Sequence, residues 1–178
     1  ITSTTPARAV PPGTPFVLTA AATDIDNDLL TYSWEQFDSG TARPLSGTGA
    51  TDNGSGALFR VFMPVTSTTR TFPKMADVLS GVPTPGERLP TTNGVIRRFR
   101  VSVRDNHPGG GGVAISPNVN ISIPAGSSPF GFVSPAEGAV LRGGPTTVTW
   151  TVGGTNAAPI SCLTVGRSLS LEHGQTFL

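Results

Sequence analysis

Hydrophobic and polar residues alternate with a period of two along much of the chain, which is the pattern of strands that bury one face. The alternating stretches lie at 16 to 22, 30 to 35, 98 to 104 and 113 to 123. Trp34 and Trp150 fall on the apolar phase of such stretches, so both are predicted to pack in a core. The pattern as a whole predicts an all-β fold.

The glycines and prolines between these stretches predict where strands turn or break. Gly109 to Gly112 predict the tip of a hairpin. Pro117 has no backbone N–H to donate, so its strand is expected to lie at a sheet edge or to carry a bulge. Between 39 and 94 the pattern is less regular. It predicts one strand at 58 to 63 and one short helix at 72 to 79 that ends at Gly81.

A domain boundary is predicted near 124 to 129, where small residues separate two strand regions. We expect a first β domain at 1 to 125 and a second, partial β domain at 126 to 178. Because the second region is short, we expect a truncated domain with a marginal core and an exposed edge. Its strand candidates lie at 130 to 133, 140 to 142, 148 to 152 and 163 to 171, and a turn is predicted at 172 to 175.

Composition narrows the class of protein. The 178 residues include 22 Gly and 17 Pro, which suits short strands joined by many turns. The formal net charge of +1 gives no general field that would attract nucleic acid, and no run approaches the roughly 18 apolar residues of a membrane span. Cys162 is the single cysteine, so an internal disulfide is excluded. The chain opens at Ile1 without a signal peptide, and we interpret it as part of a longer protein.

The acidic residues Asp24, Asp26 and Asp28 are the strongest chemical feature. They occupy alternate positions between the first two predicted strands. Calcium takes about six to eight oxygen ligands, mostly carboxylates and carbonyls, so this loop is a candidate calcium site. An EF-hand is excluded because its sixth position requires glycine and is Leu29, and because both flanks have strand periodicity. The alternative is a solvated turn, since Asp and Asn side chains bond their own backbone.

A second feature is the row of Arg98, Arg100 and Arg104 on one face of a predicted strand, with Arg97 beside it. Such a row is typical of the solvent face of a sheet. The alternative is a binding face for a polysaccharide or a protein substrate. The sequence leaves both interpretations open.

Catalytic motifs are missing from the sequence. His107 and His173 are the two histidines, both in predicted loops, and neither belongs to a zinc-binding H-E-x-x-H helix. There is no Gly-x-Ser-x-Gly elbow, and Cys162 has no base beside it in sequence. We therefore expect no catalytic or cofactor-binding residue in this chain, with a paired-carboxylate hydrolase as the remaining alternative.

Several phrases, spread over nearly the whole chain, resemble the region that follows the catalytic domain in secreted bacterial reprolysin-like zinc metallopeptidases. They are Pro15 to Ala20, Ala22 to Asp28, Leu30 to Gln36, Thr71 to Pro73, Leu89 to Thr92, Phe99 to Asn106, Thr147 to Trp150 and Gly174 to Phe177. The resemblance implies an Ig-like antiparallel β-sandwich followed by part of a similar domain.

The same resemblance implies a secreted, non-catalytic accessory region with a spacer or docking role. The family's zinc motif belongs to the preceding domain, so the expected partner is the catalytic domain of the same longer chain. The acidic loop also resembles the inter-strand loops of cadherin-like and other calcium-binding Ig-like modules. That likeness adds Asp105 as a fourth ligand, so the expected calcium ligands are Asp24, Asp26, Asp28 and Asp105.

Overall fold

Strands dominate the fold, as the alternation predicts. A computed structural model describes residues 1 to 172 and Thr176, and nearly all of its regular structure is β. The strands are β1 (Ser3–Thr4), β2 (Arg8–Ala9), β3 (Phe16–Ala21), β4 (Thr31–Gln36), β5 (Thr69–Phe72), β6 (Val95–Arg104), β7 (Val113–Ile115), β8 (Val119–Ile123), β9 (Gly131–Ser134) and β10 (Thr149–Thr151). The α-helix α1 covers Met75–Ser80, and a 3-10 turn covers Thr48–Ala50. The all-β prediction is confirmed.

Two sheets carry the first part of the chain. One has the strand order β1-β3-β5, and the other has the order β2-β8-β6-β4 with β7 beside β6. Their strand pairs are antiparallel except that β2 runs parallel to β8. The N-terminal segment therefore pairs with one sheet through β1 and with the other through β2.

The two sheets face each other across an aromatic core. The rings of Phe16 and Phe72 in the first sheet lie 5.3 and 4.8 Å from the ring of Phe99 in the second. The ring of Phe59 lies 5.1 Å from that of Phe72. Each buried aromatic or aliphatic side chain contributes roughly 1.5 to 3 kcal/mol by leaving water. The sandwich is therefore held together at its centre by four contacting phenylalanines.

The period-two pattern correctly predicts the faces of the longer strands. β3 buries alternate residues beginning at Phe16, and β4 buries Tyr32, Trp34 and Gln36. The core position predicted for Trp34 is confirmed, since its side chain is 3% exposed. Its indole N–H donates to the carbonyl oxygen of Thr68 at 3.2 Å, which satisfies the one polar atom of the ring.

The predicted hairpin is present, and the single strand expected to contain Pro117 is divided into two strands, β7 and β8. β6 and β7 are antiparallel neighbours joined through the glycine run. Regular pairing stops after Ile115 and resumes at Val119, so Pro117 lies in the gap between β7 and β8. Ser116 fills part of that gap, because its hydroxyl accepts a hydrogen bond from the amide of Val101 at 3.0 Å.

The predicted helix is also present. α1 ends where Gly81 adopts a left-handed conformation with φ of 68°, which glycine adopts without a steric cost. Its apolar side chains, Met75, Val78 and Leu79, remain largely exposed. The buried residue of the helix is Asp77, whose carboxylate accepts hydrogen bonds from Thr84.

The strand expected at 58 to 63 does not form, and β5 was not predicted. Leu58 and Phe59 are both buried, but their amides donate to the side-chain oxygen of Gln36 at 2.7 and 3.2 Å. Those two amides are therefore bonded to a side chain. One isolated β-bridge, between Phe59 and Glu87, forms in place of a strand ladder. β5 has no clear sequence signal, because Phe72 is the one apolar residue among its four.

The region after 125 has less regular structure than expected. β9 and β10 pair as a two-stranded sheet; β9 overlaps the candidate at 130 to 133, and β10 lies within the candidate at 148 to 152. The candidates at 140 to 142 and 163 to 171 are not strands, and the turn predicted at 172 to 175 lies mostly outside the described residues. The core position predicted for Trp150 is wrong, since its side chain is 39% exposed. Within the described range, the contiguous hydrophobic core ends at Ile123.

Candidate metal site

The acidic loop joins β3 to β4 at one end of the sandwich, and Asp24 organises it. A carboxylate oxygen of Asp24 accepts hydrogen bonds from the amides of Asp26 at 3.0 Å and Asp28 at 3.1 Å. Asn27 adopts a left-handed conformation with φ of 61°, which Asn tolerates better than most residues. The loop therefore curls around one carboxylate and carries the next two acidic residues beside it.

The three aspartates of this loop form a compact acidic cluster. Each offers one carboxylate oxygen, and these oxygens lie within 4.8 Å of one another. Asp26 is exposed, while Asp24 and Asp28 are partly buried. Because like charges at this separation repel, a hard divalent cation that accepts carboxylate oxygens would relieve the repulsion.

Asp105, the fourth expected ligand, lies at the same end of the sandwich. It follows β6, whose last residue Arg104 pairs with Thr31 at the start of β4. Asp24 and Asp105 line one cavity of about 260 Å³. Asp105 is not part of the cluster of three, and its carboxylate accepts hydrogen bonds from the amide of Gly112 at 2.8 and 2.9 Å.

The environment of Asp105 favours its charged form. Hydrogen bonds from the amides of Gly112 and then His107 hold the pKa of Asp105 below its ordinary value of 3.8. This carboxylate therefore stays ionised at neutral pH and adds negative charge to the end of the sandwich that carries the acidic loop.

Sequence reasoning missed the role of His107. Its Nδ1 atom lies 2.6 Å from a carboxylate oxygen of Asp28. The hydrogen bond and the charge of Asp28 raise the pKa of His107 above 6.5, with smaller contributions from Asp105 and Asp24. The signal was indirect, since His107 stands two residues after Asp105 and approaches the acidic loop only through the pairing of β4 with β6.

Asn106 also links the turn after β6 to the acidic loop. Its side-chain amide donates to the carbonyl oxygen of Leu29 at 2.8 Å and to the hydroxyl oxygen of Thr31 at 3.1 Å. Like Asn27, it has a left-handed backbone, with φ of 57°. The acidic loop and the turn after β6 are therefore joined by two neighbouring side chains, those of Asn106 and His107.

Two arginines of the row pair with neighbouring carboxylates, and the third, Arg104, has a buried Nη1 atom without a hydrogen-bond partner. Arg98 pairs with Asp38 at 3.3 Å, and Arg100 pairs with Glu35 at 2.8 Å. Arg97 does not contribute to this face. It is 1% exposed and forms an ion pair with Asp52 inside the protein, so the alternative of a binding face that includes Arg97 is wrong.

Comparison with known proteins gives no relative. No protein-family model, curated protein or solved structure matches the chain. Among the residues that the structure describes, no helix has the length and apolar character needed to cross a membrane.

Proposed function

We propose that this chain is a non-catalytic accessory module whose β-sandwich is stabilised by calcium bound at the acidic loop. The observation that carries the proposal is the convergence of the Asp24, Asp26 and Asp28 carboxylates within 4.8 Å of one another. Asp105 contributes to the same negative end, either directly or through a bound water, as calcium sites commonly allow.

Calcium bound in this way acts on stability. A cation that binds the folded chain and not the unfolded one raises the free energy of unfolding, by about 2.7 kcal/mol at a concentration one hundred times its dissociation constant. The lone cysteine forms no internal disulfide, so the cation is the stabilising element that suits an extracellular module.

The biological setting is inferred from the sequence resemblance. In that setting the module is secreted, lies next to the catalytic domain of the same longer chain, and acts as a spacer or docking element. A module of this kind has no turnover of its own. A binding role for the arginine face has less support, because Arg98 and Arg100 already have carboxylate partners.

Thermal unfolding tests the proposal. The protein is unfolded in EDTA and then in calcium at millimolar concentration, and we expect calcium to raise the midpoint. The double variant Asp26→Asn, Asp28→Asn should lose this rise. The control variant Glu137→Gln, Glu172→Gln removes two carboxylates far along the chain and should keep it. No rise in the unmodified protein, or an equal rise in the Asp26→Asn, Asp28→Asn variant, would overturn the calcium proposal.

A further inference from the structure

A cavity of about 290 Å³ lies at another part of the sandwich, under the loop that follows β4. Backbone hydrogen bonds hold its frame. The amide of Gly86 donates to Leu45 at 3.0 Å, and the amide of Arg88 donates to Leu58 at 3.2 Å. Gly40 packs so closely on Gly56 that a Cβ at residue 40 would lie 2.6 Å from the Gly56 nitrogen. These contacts fix the cavity without any ligand.

Arg88 is one of the residues that line this cavity. Its Nε atom is buried and unbonded, and within the described residues no hydrogen bond or ion pair involves its side chain. Arg70 and Arg97 also have a buried, unbonded Nε atom, but they pair with carboxylates through their terminal nitrogens, as Arg98 does, and Arg100 pairs through its Nε. A buried polar atom without a partner is unfavourable, and such atoms are commonly satisfied by a water or a ligand.

The carboxylates near Arg88 are already paired with other cations. It also lines a second cavity, of about 470 Å³, together with Asp52, Asp77 and Glu87. Each of those three has another cation as its partner. They pair with Arg97, with Lys74 at 3.6 Å and with Arg70 at 2.7 Å, respectively. The guanidinium of Arg88 is therefore left over once every carboxylate around it is paired.

The remaining charges and the walls define what the first cavity accepts. Asp38 is held by Arg98 and by the side-chain amide of Gln36 at 2.6 Å. The guanidinium of Arg43 donates to the carbonyl oxygens of Thr51 and Ser55. Carbonyl oxygens leave the positive charge of Arg43 in place, but they occupy donors of its guanidinium, so Arg88 is the arginine of this cavity left to bind the carboxylate of a ligand. Much of the wall is apolar, formed by Pro44, Leu45, Ala50 and Leu58.

We propose that this cavity binds a compact monocarboxylate, with the ligand carboxylate on Arg88 and its body against the apolar wall. The guanidinium fork presents paired N–H donors in a plane, which match the two oxygens of a carboxylate. This ligand site is separate from the acidic loop and goes beyond the proposed stabilising role of calcium.

NMR spectroscopy of the 15N-labelled protein, stripped of metal and then dialysed free of EDTA, tests the site directly. Sodium D-glucuronate serves as the probe, with acetate, phosphate, D-glucose and sodium chloride at matched ionic strength as comparators. We expect the Arg88 Nε–Hε signal and the Gly86 amide signal to shift saturably with glucuronate and with acetate. Glucose and sodium chloride should leave both signals in place, because neither carries a carboxylate.

Two variants separate a site from general charge attraction. Arg88→Gln should weaken glucuronate binding at least tenfold, while Arg98→Gln, which removes a paired arginine of the same charge, should leave it unchanged. If Arg88→Gln loses the dispersed amide spectrum of a folded protein, Arg88→Lys takes its place and should also bind more weakly. Three results would each overturn the proposal: unchanged glucuronate affinity in the Arg88 variant that folds, equal shifts with sodium chloride, or tighter binding of phosphate than of glucuronate. Because the titration is run without calcium, its failure leaves the calcium proposal standing.

Discussion

His107 and Asp28 are 79 residues apart in the chain, and the Nδ1 atom of His107 lies 2.6 Å from a carboxylate oxygen of Asp28. This contact links the loop between β3 and β4 to the turn between β6 and β7. It also places a titratable group against the cluster in which we propose calcium binding. The stability of this end of the sandwich should therefore respond to both protons and metal.

The first prediction concerns pH. The pKa of His107 is raised in the folded protein, because Asp28 favours the charged imidazolium. The resulting stabilisation is complete below the ordinary value of 6.5 and disappears as the pH rises through the folded pKa. In EDTA, His107→Gln should lower the unfolding midpoint at about pH 5.5, and the difference should vanish at about pH 9. A difference that is constant over this range would contradict the assignment.

The second prediction separates the two roles of Asp24. Its carboxylate accepts two amide hydrogen bonds within the loop, and each such bond is worth about 1 kcal/mol. In EDTA, Asp24→Ala should therefore lower the free energy of unfolding by about 1 to 2 kcal/mol. Asp24→Asn keeps an acceptor oxygen and should cost less. Chemical denaturation in EDTA measures the difference between them.

Calcium provides the control for the Asp24 pair. Both Asp24→Ala and Asp24→Asn remove a negative charge from the cluster, so both should reduce the calcium-dependent rise in midpoint. Retention of the full rise by Asp24→Asn would mean that the carboxylate is not a ligand. Equal stability of the two variants in EDTA would mean that the loop does not depend on the Asp24 acceptor.

The third prediction compares adjacent arginines on β6. Arg97 and its partner Asp52 have side chains 1% exposed, and removing one member of a buried pair typically costs about 3 to 5 kcal/mol. Arg98 is half exposed, and its pair with Asp38 is worth about 0 to 1 kcal/mol. Arg97→Met should therefore lower the free energy of unfolding several times more than Arg98→Met. Equal losses in urea denaturation would contradict the buried pair.

The stability contributed by the pair of Arg97 and Asp52 should depend on pH. Burial raises the pKa of Asp52, but hydrogen bonds from Thr92, Gly54 and Thr91 together with the charge of Arg97 lower it by more, so the net shift is downward. Its contribution is therefore present above the ordinary value of 3.8 and is lost as the pH falls through the folded pKa. Asp52→Asn should flatten the acid limb of the stability curve.

The fourth prediction concerns the region after 125. Within the described range, the contiguous hydrophobic core ends at Ile123, and a hydrogen bond from Asn93 to Ser127 crosses the predicted boundary. A fragment of residues 1 to 125 should fold and unfold cooperatively, with a midpoint within about 3 °C of that of the whole chain. Loss of cooperative unfolding in the fragment would show that the sandwich depends on residues 126 to 178.

The parts of the fold that the sequence predicted are those with a local signal. The alternation of β3, β4 and β6 reports one buried face directly, and Gly81 marks the end of α1 without reference to any other segment. β5 has no such signal, because Thr69 and Arg70 carry no apolar pattern and the strand is defined by its pairing with β3. Trp150 shows the opposite failure, since its alternation is real but no opposing sheet covers it among the described residues.

The candidate site likewise has a part with a local sequence signal and a part without one. The three loop aspartates are close in sequence, and their proximity in space follows from a tight loop. The pairs of His107 with Asp28 and of Arg97 with Asp52 join residues 79 and 45 positions apart. Arg97 shares the alternating phase of the buried Phe99 on β6, but it was expected to lie beside the surface arginines, and only the folded structure identifies the carboxylate that makes its burial tolerable.

The parallel pairing of β2 with β8 has a mechanical consequence. Arg8 lies opposite Ile121 and Ala9 opposite Ser122, and the amide of Val10 donates to the carbonyl oxygen of Ser122 at 3.0 Å. The chain enters β2 at one end of this pair and leaves β8 at the other. Tension between the two ends of the sandwich therefore slides these strands past each other and loads their hydrogen bonds together.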